Sequence, residues 1–253
     1  MEGFDRARAE DLCRLCMKRG FAAGDFLTPA EQKQFKNAFN ALKKEYSFSF
    51  SFEGGVRGCQ RSLPVLLSKD YADLAFEDFS EITLLFFTCT DGSLPEHRQV
   101  LGALLSLGLK RSAIGEIFHY QNGTVVAVKE RVASYIESDL KRAGRSTLSF
   151  KKDFVLPEDF VLHYEKEELK ISVASLRLDC VVSALCRLSR EEGGGYVKKG
   201  LASVNFEEAL RPDKKLFPGD TLSLRGYGRY ELSEDEPGET RSGRLSVTVY
   251  KYK

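Results

Sequence analysis

Tryptophan is absent from the 253 residues, histidine occurs three times, methionine twice and proline only seven times. The histidines stand far apart, at His97, His119 and His163, so neither a His/Cys metal cluster nor a histidine-centred catalytic triad is legible. No run approaches the roughly 18 uncharged apolar residues that a spanning helix needs, which argues against a membrane role. The start, MEGFDRARAEDL, is charged where a secretory signal needs an apolar core, so a cytoplasmic protein is expected. No Walker loop and no GxGxxG occurs, so no nucleotide site is expected. Charge of one sign is also lacking. The formal net charge is +1, so any nucleic-acid site must come from the arrangement of charge rather than its total.

Six cysteines are too few for a disulfide scaffold. Cys13 and Cys16 form a CxxC, but they lie in EDLCRLCMKRG, a helical pattern, with no second CxxC. The expectation is two ordinary helix cysteines facing a core, with no metal and no cofactor.

What is present is an apolar fraction of 42%, enough for packed cores. The fold class expected is α+β and multidomain. In residues 1–75, Leu12, Leu15 and Cys16 mark a first helix, which Gly20 and Gly24 break. Thr28-Pro29 then open a second, with Thr28 as N-cap, Pro29 at the first helical position and Glu31 in the first turn. Phe35, Ala38, Phe39 and Leu42 give that helix one apolar face. FSFSF (48–52) alternates strictly and reads as a strand whose phenylalanines pack one sheet face on the helices. Gly54-Gly55 turn the chain, and a further strand with Pro64 follows.

Residues 76–152 show the order β-α-β-β-α-β: ITLLFFTC, then PEHRQVLGALLSLGL, then IGEIFHY and TVVAVK around Gln121-Asn122-Gly123. ERVASYIESDLKRAG, with Gly144 just past its end, and STLSF complete it. This is the ferredoxin-like or RRM-like plait. An RRM stacks bases on aromatics of its third strand, and TVVAVK has none, which argues against RNA binding through that strand. Lys110 and Arg111 could reach a phosphate from their loop, or simply be solvated there.

Residues 151–170 read as a charged linker before a third domain, 172–253. There ASLRLDCVVSAL reads as a helix, and Ser189-Arg190 begin a second that must pass Gly193-Gly194-Gly195. Each helical glycine costs roughly 1 kcal/mol against alanine, so fraying or a break is expected there. LASVNF is a strand, the Pro-Gly-Asp of LFPGDTLSLRGYGRYEL turns into another, and the tail RLSVTVYKYK is its expected partner. Between Arg177 and Arg229 the chain carries ten Lys and Arg against seven Asp and Glu, so the basic excess lies near the C-terminus.

RLD at 177, SR at 189, VKKGLASVN from 197 and PGDTLSLRGYGR from 218 together resemble the S4 RNA-binding domain. With LGALLSLGLKRSAIGEI in the middle and VTVYKYK at the end, the chain resembles the YlmH family of bacterial S4 proteins over nearly its whole length. The resemblance implies an N-terminal domain, a plait-like central domain and a C-terminal S4 domain. It also implies binding of ribosomal RNA or tRNA, association with the large ribosomal subunit, handling of stalled translation, and a link to cell division.

An S4 domain lays basic side chains over two short helices and a small sheet. Arg177 and Arg190 open the helices, where arginine can grip phosphate bidentately. Ser189 precedes the second helix, and Lys198 and Lys199 end it. Asn205 can reach a sugar or base edge. Arg225 and Arg229 flank Gly-Tyr-Gly, which permits close backbone approach and leaves Tyr227 for stacking. Asp179 is expected to cap or pair with a basic neighbour. The expected protein is a monomer that is not an enzyme. Two alternatives stay open. Arg177-Leu178-Asp179 imitates the pseudouridine synthase motif, although only the S4 pattern follows it, and a protein-interaction role in cell division fits the resemblance as well.

Overall fold

The computed structural model describes residues 6–42, 47–71, 73–240 and 243–252. The chain divides into two compact units, Met1–Leu162 and His163–Lys253.

The first unit opens with α1 (Arg6–Arg19), β1 (Phe21–Ala23), α2 (Pro29–Leu42), β2 (Phe48–Glu53) and β3 (Leu63–Ser68). Thr28 caps α2 as its sequence indicates: its hydroxyl accepts the Glu31 N–H at 3.3 Å while Glu31 accepts the Thr28 N–H at 2.7 Å. The strands order as β1-β3-β2, all antiparallel. Phe48, Phe50 and Phe52 point one way, onto Phe35 and Phe39 of α2, with Phe39 and Phe50 ring centroids 4.5 Å apart. The alternation of FSFSF therefore serves a core. Cys13 and Cys16 are buried in that same core, and burial pushes both thiols up to about 11, far from a reactive or metal-binding thiolate.

The plait follows as β4 (Ile82–Cys89), α3 (His97–Ser106), β5 (Ile114–Tyr120), β6 (Gly123–Lys129), α4 (Glu130–Asp139), β7 (Arg142–Ala143) and β8 (Ser146–Lys151). Its sheet order is β5-β6-β4-β8-β7, the arrangement expected of β-α-β-β-α-β. α4 ends at Asp139, short of Gly144, which its sequence pattern would place just past the last turn. Gly144, at φ +59°, instead turns the β7–β8 hairpin, in which Ala143 pairs with Ser146.

The N-terminal layer and the plait, expected as separate domains, form one unit because they share a core. Leu63, Val65 and Leu67 of β3 meet Ile82, Leu84 and Ala127 on the plait sheet, with Phe26 among them. β3 is thus covered on both faces, which explains its nearly unbroken apolar run. Lys129 clamps the same joint, its buried ammonium donating to the Gly24 carbonyl at 2.7 Å and lying 3.7 Å from Asp25.

The second unit comprises β9 (Lys166–Val173), α5 (Leu178–Cys186), α6 (Arg190–Lys198), β10 (Ala202–Val204), β11 (Glu207–Glu208), β12 (Thr221–Leu224), β13 (Gly228–Leu232), β14 (Gly238–Glu239) and β15 (Leu245–Tyr252). The strands order as β11-β10-β12-β13-β15-β14, with β9 also paired to β15. Leu178, Val181 and Val182 of α5 and Val197 of α6 pack with Leu222, Leu224 and Val249 of the sheet.

Three expectations are corrected here. The charged linker holds a strand: β9 pairs with β15 from Lys166↔Tyr252 to Val173↔Leu245. TLSLRGYGRYEL is two strands, β12 and β13, joined through Arg225–Tyr227, and the C-terminal tail pairs with β13 rather than β12. α6 runs unbroken through Gly193-Gly194-Gly195.

Candidate nucleic-acid interface

α6 starts on a capping box. The Ser189 hydroxyl accepts the Glu192 N–H at 3.2 Å, and Glu192 accepts the Ser189 N–H at 2.8 Å. Ser189 therefore orients the helix start, and its oxygen is already engaged. Further on, Gly193 faces α5 so closely that a Cβ there would stand 2.1 Å from Ser183 Oγ. The glycine that should weaken the helix is what lets the two helices cross.

At the N-terminal ends of α5 and α6 the charges converge on one carboxylate. Arg177 Nε and Nη2 donate to the two oxygens of Asp179 at 3.1 and 2.8 Å. Asp179 also accepts the Cys180 N–H at 2.9 Å, and Arg190 Nε stands 4.0 Å away. Asp179 is buried, which raises its pKa, but the Arg177 and Cys180 hydrogen bonds outweigh this and hold it below the ordinary carboxylate range. It thus pairs with a basic neighbour, as expected. Arg177 spends its fork on Asp179. Arg190 is more exposed and less engaged.

At the other end of α6 lies a second basic group. Lys198 ends the helix and Lys199 caps it, both exposed. The Tyr196 hydroxyl donates to the Arg225 carbonyl at 2.7 Å, and the Arg225 N–H donates to the Leu201 carbonyl at 2.9 Å. These bonds fix the β12–β13 tip against α6. Burial raises the Tyr196 phenol to about 12, so it stays a donor at neutral pH. Tyr227 lies edge-on to Tyr196 with centroids 6.0 Å apart and remains exposed. Gly226 and Gly228 have φ of +89° and +115°, which the tip requires. Among the described residues, Lys198, Lys199 and Arg225 form no ion pair. The carboxylate of Glu208 lies over Gly200 and bounds this patch on one side.

Four expected contacts are corrected. Asn205, in the left-handed region at φ +53°, uses its amide inside the fold: it donates to Asp220 at 2.7 Å and accepts the Thr221 N–H at 2.9 Å. Arg229 lies 3.9 Å above the Tyr252 ring centroid and 5.5 Å from that of Tyr164, a cation–π layer. Arg111, in the first unit, donates to the carbonyls of Ile114 and Gly115. Burial, with Arg61 nearby, lowers its guanidinium to about 10, so it serves the joint where Glu116 accepts the Gln60 and Arg61 N–H groups. Ser189 is a cap. Lys110 alone of that loop pair is exposed. Tyr196 carries no sequence signal of its role, because nothing in its spacing indicates that its hydroxyl anchors a hairpin 29 residues on.

Among the described residues, no cluster of His, Cys, Asp or Glu could hold a metal ion, and no helix is long and apolar enough to cross a membrane. Residues 92–155 match the family model described as "Putative RNA-binding domain in YlmH". A relative from Bacillus subtilis (strain 168), "Ribosome-associated protein quality control protein P2", is 30% identical over 233 residues, covering 90% of this chain and 86% of its own. A solved structure, "Cell division protein ylmH from Streptococcus pneumoniae", is 20% identical with a TM-score of 0.46, covering 57% of this chain and 87% of that one. With the identity to the Bacillus protein sustained over so much of both sequences, the chain belongs to the YlmH family.

Proposed function

We propose that this protein is a cytoplasmic, monomeric, non-enzymatic RNA-binding factor that docks structured RNA through its second unit, in the manner of an S4 domain. The RNA is ribosomal RNA of the large subunit, with or without tRNA, and the setting is rescue of stalled ribosomes. The quality-control relative supports the ribosomal setting, and the family model supports RNA binding by the chain, its match at 92–155 lying in the first unit. The observation that carries it is the patch at the C-terminal end of α6. Lys198 and Lys199 at the helix end and Arg225 on the tip that Tyr196 anchors are exposed and form no ion pair among the described residues, and Tyr227, on the same tip, lies edge-on to Tyr196. Cations that no carboxylate neutralises, beside an exposed aromatic ring, suit phosphates and an unstacked base. Arg190 extends the basic surface to the other end of the helix.

The test is binding of the full chain to an rRNA hairpin across a salt series. The triple variant Lys198→Ala, Lys199→Ala, Arg225→Ala is expected to flatten the logarithmic salt dependence by roughly one unit per removed contact, with an unchanged melting temperature. A folded triple variant that binds with unaltered affinity and slope would place the interface elsewhere.

A further inference from the structure

The plait sheet has two faces. α3 and α4 cover one, where Leu85, Phe87, Val126 and Val128 pack. On the other, the N-terminal layer covers the part formed by Ile82, Leu84 and Ala127. The remaining part carries a row set by strand register: Lys151 of β8 opposite Phe86 of β4, Phe86 opposite Val125 of β6, and Val125 opposite Phe118 of β5. Tyr120 stands two residues along, opposite Gly123. A Cβ on Gly123 would meet Phe86 Cζ at 2.4 Å, so glycine there lets the phenyl ring lie across the sheet.

Two rings of the following segment lie on this row. Phe154 stacks on Phe86 with centroids 4.4 Å apart and planes 14° from parallel, and Phe160 stacks on Phe118 at 5.8 Å and 17°. Tyr120 meets both edge-on, at 5.9 and 5.3 Å. The segment is otherwise weakly held. Among the described residues, its backbone makes one internal hydrogen bond, Phe160 N–H to Pro157, before Leu162 N–H reaches the Arg57 carbonyl. Val155 is 83% exposed, and the segment borders a groove of about 1050 Å³ rather than a filled core. Few buried contacts and few backbone bonds mark a region that opens at low cost.

We propose that Phe86, Phe118 and Tyr120 form a second RNA site, a base-stacking platform for single-stranded RNA, and that residues 153–160 are a strap whose phenyl rings occupy the base positions until RNA displaces them. Near-parallel stacking of Phe154 at 4.4 Å is the geometry a nucleobase adopts on an aromatic side chain. Lys151, exposed and on the same face, is placed for a phosphate, with Lys152 next to it. The site lies in the first unit, on and beside the stretch 92–155 that matches the RNA-binding family model, and is independent of the patch on α6; the stacking platform and its strap are what is added to that match. It also draws its aromatics from the first and second plait strands, so the lack of them in TVVAVK does not bear on it.

The experiment uses the full chain and two probes, a ten-nucleotide oligouridylate and an rRNA hairpin. Phe154→Ala with Phe160→Ala is expected to tighten oligouridylate binding about tenfold, the scale of one stacked base. Adding Phe118→Ala is expected to reverse the gain, and Lys151→Ala to weaken it. Hairpin binding is expected to stay unchanged. In the unmodified protein, saturating oligouridylate is expected to speed amide exchange at 154–160 and slow it at 116–120. Unchanged oligouridylate affinity in a folded double variant would overturn the proposal. If that variant unfolds, exchange decides alone: no acceleration at 154–160 would overturn it too. The Lys198, Lys199 and Arg225 triple variant is expected to keep its oligouridylate affinity, so failure of the α6 reading is read separately, from the hairpin.

Discussion

Gly193 of α6 touches Ser183 of α5 where no side chain fits: a Cβ would also stand 3.0 Å from the Asp179 carbonyl oxygen. Gly194 and Gly195, in the same run, face open space, with nothing within 4 Å of where a Cβ would stand. Three identical residues therefore carry two different roles. Gly193→Ala is expected to destabilise the protein by about 1–3 kcal/mol through overpacking. Gly194→Ala and Gly195→Ala are each expected to stabilise it by up to about 1 kcal/mol through helix propensity. Urea unfolding of the three variants checks this, and equal losses at all three positions would contradict the crossing geometry.

A second expectation concerns where the C-terminal unit begins. Residues 163–253 include all of β9, whereas a fragment starting at 172 keeps only Ser172 and Val173 of the strand paired along β15. The longer fragment is expected to give a dispersed, cooperative NMR spectrum. The shorter one is expected to melt at a lower temperature, since β15 would then become an edge over most of its length. Equal melting temperatures would show that β9 contributes nothing to the unit.

How much of this is legible in the sequence depends on whether the signal is local. The capping box of Thr28 and Glu31 and the hydrophobic side of FSFSF are written within a few residues, and both form as that spacing indicates. The plait order is equally clear, because each element has its own period. β9 is hidden by composition: Lys166 to Glu168 is charged and solvent-facing, and only Leu169, Ile171 and Val173 in its second half alternate as a strand does. Asn205 and Arg229 resemble RNA ligands when residue type alone is visible. Their engagement with Asp220 and Tyr252 depends on strands brought together by folding. The row Phe86–Val125–Phe118 needs the register of three strands, which no single segment encodes.

That distinction makes Arg229 and Arg225 a matched pair for experiment. Arg229→Ala is expected to lower the melting temperature, because it strips the cation from the Tyr252 and Tyr164 rings, and to leave the salt slope of RNA binding unchanged. Arg225→Ala is expected to do the reverse. Its backbone carries the Tyr196 and Leu201 bonds that hold the tip, and that backbone survives the substitution. Finding the opposite assignment would exchange the two arginines' roles.

The Arg177–Asp179 pair makes stability depend on pH in a defined direction. Asp179 is held below its ordinary value of 3.8 in the folded protein, so the folded state favours the ionised form. Its contribution is fully present above the unfolded pKa and is lost as pH falls from about 4 through the folded value. In Arg177→Ala the two guanidinium hydrogen bonds that lower the pKa disappear, while burial, which raises it, and the Cys180 N–H bond remain. The carboxylate then becomes a buried charge with one N–H donor left, and its protonation relieves the strain instead of adding to it. The melting-temperature gap between the unmodified protein and Arg177→Ala is therefore expected to be wide at neutral pH and to narrow towards about pH 3. Asp179→Asn supplies the control: with no carboxylate to titrate, the effect of adding Arg177→Ala to it is expected to be small and nearly independent of pH. A gap of constant width across the range in the Asp179 background would mean that Arg177 stabilises the fold by packing rather than by holding a charge.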